Sequence, residues 1–510
     1  MQRPVVIVVA LLALGCERPP GVTVDGEVLV GKREHDVVAF LGVPFAEPPL
    51  GELRWRAPQP LVSKVARRNT TEFAAACMQT MRILDWYRDL AESFGGSADY
   101  YADLEVSEDC LYLNVWTPAL DGDARLPVMV WVHGGSNMSG WSYEDNYRGH
   151  VLAGRGVVVV TVAYRVGLFG FLSHPELAGQ DAVANFGLWD LVAALTWIRD
   201  NIGQFGGDPG RITLFGESAG GENILALMMA EPARGLFHRT VLQSAAGFGM
   251  AMPSLDEETR RGAALAGYVG AETLADFRNV PADFLLRTYS EEFGHYHSPA
   301  IDGQLITEST WDAVQSHNFG SHEMIVGTNG AEWLDSIDSD ASAEAVVDTA
   351  RDSPRIGGEA ALEWVAGETD PRRAMDRLIT ARAMVCPSQN VAANRTASGG
   401  KAFMYYFTRE RDDDGGRKLG AYHGAEYPYI FGVHDAYMTT TEHDLDLSAL
   451  MQRYWINFAT TGDPNGDELP DWPQFGRPGP QLLELGDNVG TIAAIEARMC
   501  ASFEQSLLEE

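Results

Sequence analysis

Ser218 stands between two glycines, Gly216 and Gly220, at the end of a short apolar run. The run, Ile212 to Phe215, predicts a buried strand, and the GENILALMMA that follows the serine predicts a helix. A chain that turns from strand to helix within one residue strains that residue, and neighbours larger than glycine would collide. The G-x-S-x-G spacing therefore predicts a nucleophile elbow, which raises the hydroxyl beside helix N–H groups able to stabilise negative charge.

Two downstream residues are candidates to activate this serine. A serine hydroxyl is a poor nucleophile at neutral pH, so it needs a base to take its proton and an acid to orient the base. After an elbow of this kind the expected chain order is serine, carboxylate, histidine. Glu332 follows an apolar strand in MIVGTNGAEW, and His423 lies in a small-residue turn of GAYHGAEYPYIFG. Both lie where loops leave structured segments, the usual place for catalytic groups.

The segments that must position these residues alternate between strand-like and helix-like patterns. Short apolar runs at Val128–Val132, Val157–Val162 and Ile212–Phe215 predict buried strands, and LWDLVAALTWIRDNI predicts a helix between two of them. Strands that alternate with helices favour an α/β fold, with a central, mostly parallel sheet and helices on both faces.

The chain has 510 residues but shows no sign of division into several domains. Length alone would suggest about three domains. However, we find no internal repeat and no linker rich in proline, glycine and serine, and α/β enzymes often form large single domains. The segments from about 250 to 320 and from 339 to 394 look helical, and we expect them to form a cap or peripheral helices around the site.

The motifs of this chain together resemble those of the type-B carboxylesterases, which include cholinesterases, mammalian carboxylesterases and bacterial para-nitrobenzyl esterases. The matching blocks occur in family order from about residue 20 to about residue 500. They are Val38–Pro60, Ser107–Pro118, Val128–Ser136, Val162–Leu172, Asn185–Gly221, GTNGAEW and YHGAEYPYIFG. The resemblance implies an α/β-hydrolase fold with helical cap insertions over residues 23–505, and catalysis without cofactor or metal.

The resemblance also implies roles for individual residues. Ser218 would be the nucleophile, Glu332 the acid and His423 the base. The backbone N–H groups of an oxyanion hole would come from Gly135, Ser136 and Ala219. Ser136 replaces the third glycine of the commoner family pattern. We expect the hole to survive this change, because serine keeps its backbone N–H, and we expect its Cβ to narrow the pocket and affect the choice of acyl or alcohol group.

Other residues match supporting positions of the family. Ser244 matches a serine that contacts the catalytic acid. Glu217, directly before the nucleophile, raises the basicity of His423, favours a cationic alcohol group, or only satisfies a buried network. Two ion pairs are implied as structural clamps, since a guanidinium can grip a carboxylate with two parallel hydrogen bonds. These pairs are Arg54 with Glu108 and Arg165 with Asp190.

The N-terminal sequence predicts export. Residues 1–15 contain one arginine and then an apolar run that is too short to span a bilayer but suits a secretory signal peptide. Cys16 follows at once, and LALGC resembles a bacterial lipoprotein processing site. Cys16 is therefore a candidate lipid anchor, with residues 16–22 as a tether and the periplasm or outer membrane as the location. The alternative is plain secretion.

Four further cysteines, an even number in an exported protein, predict two disulfides. Sequence alone allows three pairings of Cys77, Cys110, Cys386 and Cys500. The family resemblance selects Cys77 with Cys110 and Cys386 with Cys500. Each bridge would stabilise the fold by about 3 to 5 kcal/mol.

The formal net charge of −33 disfavours nucleic acid or an anionic lipid surface as partner. The segment between Cys77 and Cys110 mixes Trp86, Tyr87 and other aromatic residues with acids. In relatives the corresponding loop helps to line the site, so a cationic or aromatic ester is compatible with this composition. A solvated acidic loop with a few core aromatics explains the same composition.

These observations predict an enzyme that cleaves a small-molecule carboxylic ester. Amides, polyesters and long-chain lipids are alternative substrates of the same machinery. A binding or adhesion module is the alternative from another class, since some relatives keep the fold without the nucleophile. This chain keeps all three triad candidates, which an adhesion role does not require. The sequence does not indicate the oligomeric state or the natural substrate.

Overall fold

The computed structural model describes residues 19–62, 65–247, 252–294, 296–352, 359–476, 479–494 and 500. The predicted signal peptide at residues 1–15, the candidate lipid anchor Cys16 and the start of the expected tether lie outside the described residues. No helix within the described ranges is long and apolar enough to cross a membrane.

A large mixed sheet forms the centre of the molecule. The strands are β1 (Gly21–Val24), β2 (Glu27–Val30), β3 (Lys32–Glu34), β4 (Val37–Pro44), β5 (Arg67–Asn69), β6 (Ala76–Cys77), β7 (Val106–Ser107), β8 (Tyr112–Thr117), β9 (Leu126–Val132), β10 (Val158–Val162), β11 (Gly207–Glu217), β12 (Arg239–Gln243), β13 (Glu323–Asn329), β14 (Ala402–Phe407), β15 (Gln481–Leu485) and β16 (Val489–Ala493). In the described part of the chain the main sheet has 11 strands, in the order β16-β15-β14-β13-β12-β11-β9-β10-β8-β4-β3.

The middle of this sheet is parallel and its edges are antiparallel. Neighbouring strands from β10 through β9, β11, β12, β13 and β14 to β15 pair in parallel. The strands β8, β4 and β3 at one edge and β16 at the other pair antiparallel. The predicted mostly parallel sheet is confirmed, and the antiparallel edge strands were not foreseen.

Helices cover both faces of the sheet. They are α1 (Arg82–Ser93), α2 (His150–Ala153), α3 (Gly167–Phe171), α4 (Phe186–Asn201), α5 (Ala219–Met229), α6 (Leu255–Tyr268), α7 (Leu274–Asn279), α8 (Ala282–Glu292), α9 (Thr310–Gln315), α10 (Ala343–Asp352), α11 (Glu359–Val365), α12 (Pro371–Thr380), α13 (Cys386–Ala397), α14 (Asp414–Leu419), α15 (Tyr427–Phe431) and α16 (Glu442–Thr461). The predicted helical segments after residue 250 and after residue 339 correspond to α6–α9 and α10–α13.

Alternate side chains of the central strands pack into two separate cores. On β9, Val130 belongs to the core that includes α4 and α5, whereas Trp131 belongs to the core that includes α15 and α16. Successive residues of a strand point to opposite faces, so a strand covered on both faces is apolar throughout. This explains the continuous apolar run that predicted the strand.

Short 3₁₀ helices and one π turn also occur among the residues that the structure describes. The 3₁₀ helices are Gly51–Leu53, Ala98–Tyr100, Asp145–Tyr147, Pro175–Leu177, Ile202–Phe205, Glu231–Ala233 and Leu334–Ser336, and the π turn is Ala381–Val385. Two smaller strand groups lie outside the main sheet, β1-β2-β5 and β6-β7.

Disulfides and ion pairs connect the loops around the sheet. Within the described residues, disulfides join Cys77 to Cys110 and Cys386 to Cys500, the pairing that the resemblance implies. The Arg54 guanidinium grips Glu108 with two hydrogen bonds, of 2.5 and 2.6 Å. Buried Arg165 grips Asp190 in the same way, with both bonds 2.7 Å long. Both implied ion pairs are therefore present.

Candidate active site

Ser218 lies at the single-residue turn between β11 and α5. Its φ of 55° and ψ of −131° are rarely adopted by a residue with a side chain. A Cβ at Gly220 would lie 2.1 Å from the carbonyl oxygen of Val132, and one at Gly216 would lie 2.7 Å from the same atom. The two glycines are thus required because the turn packs directly against β9, and the predicted strand, turn and helix are all present.

The carboxyl ends of four neighbouring strands bring the predicted residues to one edge of the sheet. The register pairs Glu217 with Gln243, so Ser218 and Ser244 follow adjacent strand ends. The backbone N–H of Ser218 donates to the carbonyl of Gln243 over 2.9 Å. The loops after β13 and β14 carry Glu332 and His423 to the same edge. Ligands of open α/β sheets bind at this edge.

Glu332 is fully buried and is held by three donors. Its Oε1 accepts from the Ser244 hydroxyl at 2.6 Å and from the backbone N–H of Asn329 at 2.7 Å. Its Oε2 lies 2.6 Å from Nδ1 of His423. A buried carboxylate needs such partners, and together they fix the direction in which it faces the imidazole. The contact expected between Ser244 and the acid is thus observed.

His423 lies between two carboxyl groups and against an aromatic ring. Trp333 stacks on the imidazole, with the ring centroids 5.4 Å apart. The Nε2 atom lies 3.1 Å from Oε1 of Glu217. Burial by itself would lower the pKa of His423, but the charge of Glu217 and the hydrogen bond to Glu332 raise it to about 10. The site therefore favours the imidazolium form.

Glu217 is also buried. Its Oε2 accepts from the hydroxyl of Tyr427. Burial, opposed by the charge of His423 and assisted by that of Glu426, raises the pKa of Glu217 to about 8. Glu217 thus contacts both His423 and a buried tyrosine hydroxyl.

The loop after β9 contains Gly135 and Ser136, two of the three residues predicted to form an oxyanion hole. Gly135 has a φ of 105°, and a Cβ there would lie 2.0 Å from the carbonyl oxygen of Ser139. Ser136 has a φ of 59°, so this serine occupies a left-handed conformation that favours glycine. Ala219 opens α5, where the first N–H groups have no partner within the helix. Gly135, Ser136 and Ala219 line the same cavity as Ser218.

This cavity has a volume of about 460 Å³ and is lined in part by residues of α1. Helix α1 belongs to the segment that Cys77 and Cys110 enclose, and it directs Trp86 and Tyr87 into the cavity. The indole N–H of Trp86 donates over 3.0 Å to Asp335, which lines the same cavity. The expectation that this segment lines the site therefore agrees with the structure.

Asp103, an acid of the same segment, lies outside the cavity that Trp86 and Tyr87 line. Asp103 is 98% exposed in its side chain and pairs with Arg88 outside the cavity. Trp86 and Tyr87 thus face the site, and this acid belongs to a solvated surface. Its charge therefore gives little support to a cationic ligand.

Sequence reasoning missed several polar residues of the site. Glu144 and Glu222 are buried acids that line the cavity, and Glu426 lies buried beside it. Glu426 accepts from Gln243 at 2.9 Å and from Asn329 at 2.6 Å, and burial raises its pKa. A usable signal existed for Glu222, since it follows Ser218 by one helical turn and must share its side of α5.

Comparisons with known proteins place this architecture in a family. A family model described as the carboxylesterase family matches residues 20–503. Liver carboxylesterase 1 of Oryctolagus cuniculus is 32% identical over 90% of this chain and 88% of its own length. Carboxylesterase 1D of Rattus norvegicus is 33% identical, again over 90% and 88%. Acetylcholinesterase 1 of Caenorhabditis briggsae is 32% identical over 88% of this chain and 80% of its own length.

The chain belongs to the carboxylesterase family. Its fold is that of an α/β-hydrolase, and its class of activity is the hydrolysis of carboxylic esters. The predicted family, fold class and enzyme class are confirmed.

Proposed function

We propose that this enzyme hydrolyses small-molecule carboxylic esters through a Ser218–His423–Glu332 triad and a covalent acyl-enzyme. The contact of 2.6 Å between Nδ1 of His423 and Oε2 of Glu332 carries the proposal, because it orients an imidazole that lines the same cavity as Ser218. The adjacency of Glu332 and Ser244 supports the same assignment, since a positioned acid is what the histidine requires.

The reaction proceeds in two halves. Nε2 of His423 takes the hydroxyl proton of Ser218 as the oxygen attacks the ester carbonyl, and Glu332 stabilises the imidazolium. The imidazolium then gives its proton to the departing alcohol as the carbon–oxygen bond breaks. Water enters, and His423 takes its proton as the water oxygen attacks the acyl-enzyme carbonyl. The imidazolium then returns this proton to the Ser218 oxygen as the acyl carbon–oxygen bond breaks, which releases the acid and restores Ser218.

The backbone N–H groups of Gly135, Ser136 and Ala219 bind the oxyanion in this proposal. Their support is the left-handed loop after β9 and the start of α5, which lie on the cavity that also holds Ser218. Removal of one such donor typically costs about a hundred- to a thousand-fold in rate.

The Ser218→Ala variant tests the proposal. It should lower ester turnover by about a million-fold, because the nucleophile is lost while the fold is retained. The assay follows release of p-nitrophenol from esters of increasing acyl length, with circular dichroism to check folding. A fluorophosphonate probe should label the wild type and not the variant.

An exposed serine on α8 offers a matched control. Ser290→Ala should keep both activity and probe labelling. Undiminished turnover by folded Ser218→Ala would reject the triad, and absence of both turnover and labelling in the wild type would favour a binding module.

We further propose that the protein is exported, that residues 23–505 form one catalytic domain, and that Cys16 carries a lipid anchor. The support is the short apolar leader followed by Cys16, together with the two disulfides, which suit an oxidising compartment. In a Gram-negative host the wild type should fractionate with membranes, and Cys16→Ser should become soluble. Identical fractionation of the two would reject lipidation.

A further inference from the structure

Glu222 is a buried acid of the catalytic cavity that the triad mechanism does not use. It lies in the first turn of α5, four residues after Ser218, and its exposed fraction is 3%. It lines the same cavity as Ser218 and His423. A substrate bound at the serine is therefore within the space that Glu222 faces.

One side of this carboxyl group is held by neighbouring polar residues. Oε2 lies 3.5 Å from the amide nitrogen of Asn137, and Ser298, another residue that lines the cavity, lies close enough to the carboxyl group to lower its pKa. Asn137 is itself fixed, because Asn223 donates to its Oδ1 over 2.8 Å. The direction of the Glu222 side chain is therefore determined before any substrate arrives.

The other oxygen has no such partner. Among the residues that the structure describes, none forms a hydrogen bond with Oε1 of Glu222. Glu144, the other missed acid of this cavity, differs in this respect. Its Oε1 accepts from the backbone N–H of Trp141 at 3.2 Å and its Oε2 accepts from the hydroxyl of Tyr87. A buried polar atom without a partner costs stability, so a site that retains one calls for an explanation.

We propose that Glu222 determines substrate specificity by hydrogen-bonding a hydroxyl group of the ester, so that the enzyme prefers esters of hydroxy acids or of polyols. The inference deepens the proposed esterase function and rests on it. A hydroxyl both donates and accepts, and it can pair with the free Oε1 without bringing a charge into the cavity.

The protonation state of Glu222 agrees with an uncharged ligand group. Burial raises the pKa of this carboxyl group to about 8, against a smaller opposing effect of Ser298. Below that pH the carboxyl group is mostly neutral, and it can then donate as well as accept. Ion pairing with an ammonium group would instead require the charged form, which burial disfavours.

The experiment compares two matched ester pairs. The acyl pair is p-nitrophenyl butanoate and p-nitrophenyl 3-hydroxybutanoate, and the alcohol pair is propyl butanoate and glyceryl monobutanoate. For each pair the readout is the ratio of kcat/KM with and without the hydroxyl, in the wild type, Glu222→Leu and Glu222→Gln. In at least one pair, Glu222→Leu should lower this ratio by about tenfold or more, because one hydrogen bond to a buried acid is lost. The pair that responds identifies the acyl or the alcohol side.

Two controls separate recognition from a structural effect. Glu222→Gln keeps a hydrogen-bonding side chain and should retain most of the preference. Glu144→Gln changes a buried acid of the same cavity whose oxygens are both occupied, and its ratio should stay within about twofold of the wild type.

Unchanged ratios in both pairs for Glu222→Leu would overturn the proposal. So would an equal fall of the ratio in Glu144→Gln. Failure of the esterase assignment looks different, because the wild type would then hydrolyse none of the four esters or Ser218→Ala would remain active.

Discussion

The Nε2 atom of His423 lies 3.1 Å from Oε1 of Glu217, the residue directly before Ser218. The nitrogen that takes the serine proton in our proposal therefore already faces a buried carboxyl group. Such a neighbour stabilises the imidazolium that forms when the serine attacks, and it also makes the resting histidine harder to deprotonate. The first effect acts on the attack by the serine, and the second acts on the resting enzyme. The dependence of the rate on pH distinguishes them.

Glu217→Gln should shift the pH profile of the enzyme. In our proposal neutral His423 is the base, so kcat/KM should fall as the pH drops through the pKa of His423. Glu217 raises this pKa, so the variant lowers it and should move the rising limb of the profile to lower pH, by about one unit or more. A pH-stat assay with an alkyl ester measures both profiles. Glu231→Gln, which alters a side chain that is 72% exposed, should leave the midpoint unchanged. Coincident midpoints for Glu217→Gln and wild type would contradict the assigned role.

Ser244→Ala should slow the reaction without weakening substrate binding. Its hydroxyl donates to Glu332 over 2.6 Å and helps to orient the acid, and a hydrogen bond to a charged group is worth about 1.5 to 3 kcal/mol. We expect kcat to fall about 10- to 100-fold with little change in KM. Ser388→Ala removes another fully buried hydroxyl, one that has no hydrogen-bond partner among the described residues, and should preserve kcat. Equal losses in the two variants would mean that burial, and not the contact with Glu332, matters.

Gly220→Ala should destabilise the protein strongly. The added Cβ would lie 2.1 Å from the backbone oxygen of Val132, so either β9 or the elbow must move. We expect a loss of at least about 2 kcal/mol in the free energy of unfolding, measured by urea denaturation. Gly267 in α6 has no atom within 4 Å of the position of an added Cβ, and Gly267→Ala should be neutral or stabilising by up to about 1 kcal/mol. Similar stabilities for the two variants would show that the packing against β9 is not tight.

The two disulfides should differ in their effect on activity. Replacing either pair by serine should lower the free energy of unfolding by about 3 to 5 kcal/mol, because each bridge restricts the unfolded chain. Loss of the Cys77–Cys110 disulfide should also raise KM, because the segment that this disulfide closes contains α1, and residues of α1 line the cavity. Loss of Cys386–Cys500, which packs with a core of α10–α12 residues, should leave KM unchanged. Steady-state kinetics below the unfolding transition test this difference, and an unchanged KM without Cys77–Cys110 would argue against a role of α1 in binding.

Local patterns in the sequence were sufficient for the framework of this enzyme. Apolar runs identified β9, β10 and β11, because strands buried on both faces need apolar residues throughout. The two glycines around Ser218 identified the elbow, because its backbone excludes larger side chains. Ordered motifs then identified the family, and with it the candidate roles of Glu332 and His423. Each apolar run, and the pair of glycines, lies within a short segment, and each family motif is itself a short segment.

The detailed chemistry of the cavity was decided only by the tertiary structure. The contact of Glu217 with Nε2 of His423 and the unpartnered oxygen of Glu222 depend on residues that are far apart in the chain and meet only at the carboxyl edge of the sheet. The pKa values of these acids follow from their burial, which no pattern within one segment reports. Sequence thus determined which residues could react, and packing determined their charge, their partners and the shape of the space beside them.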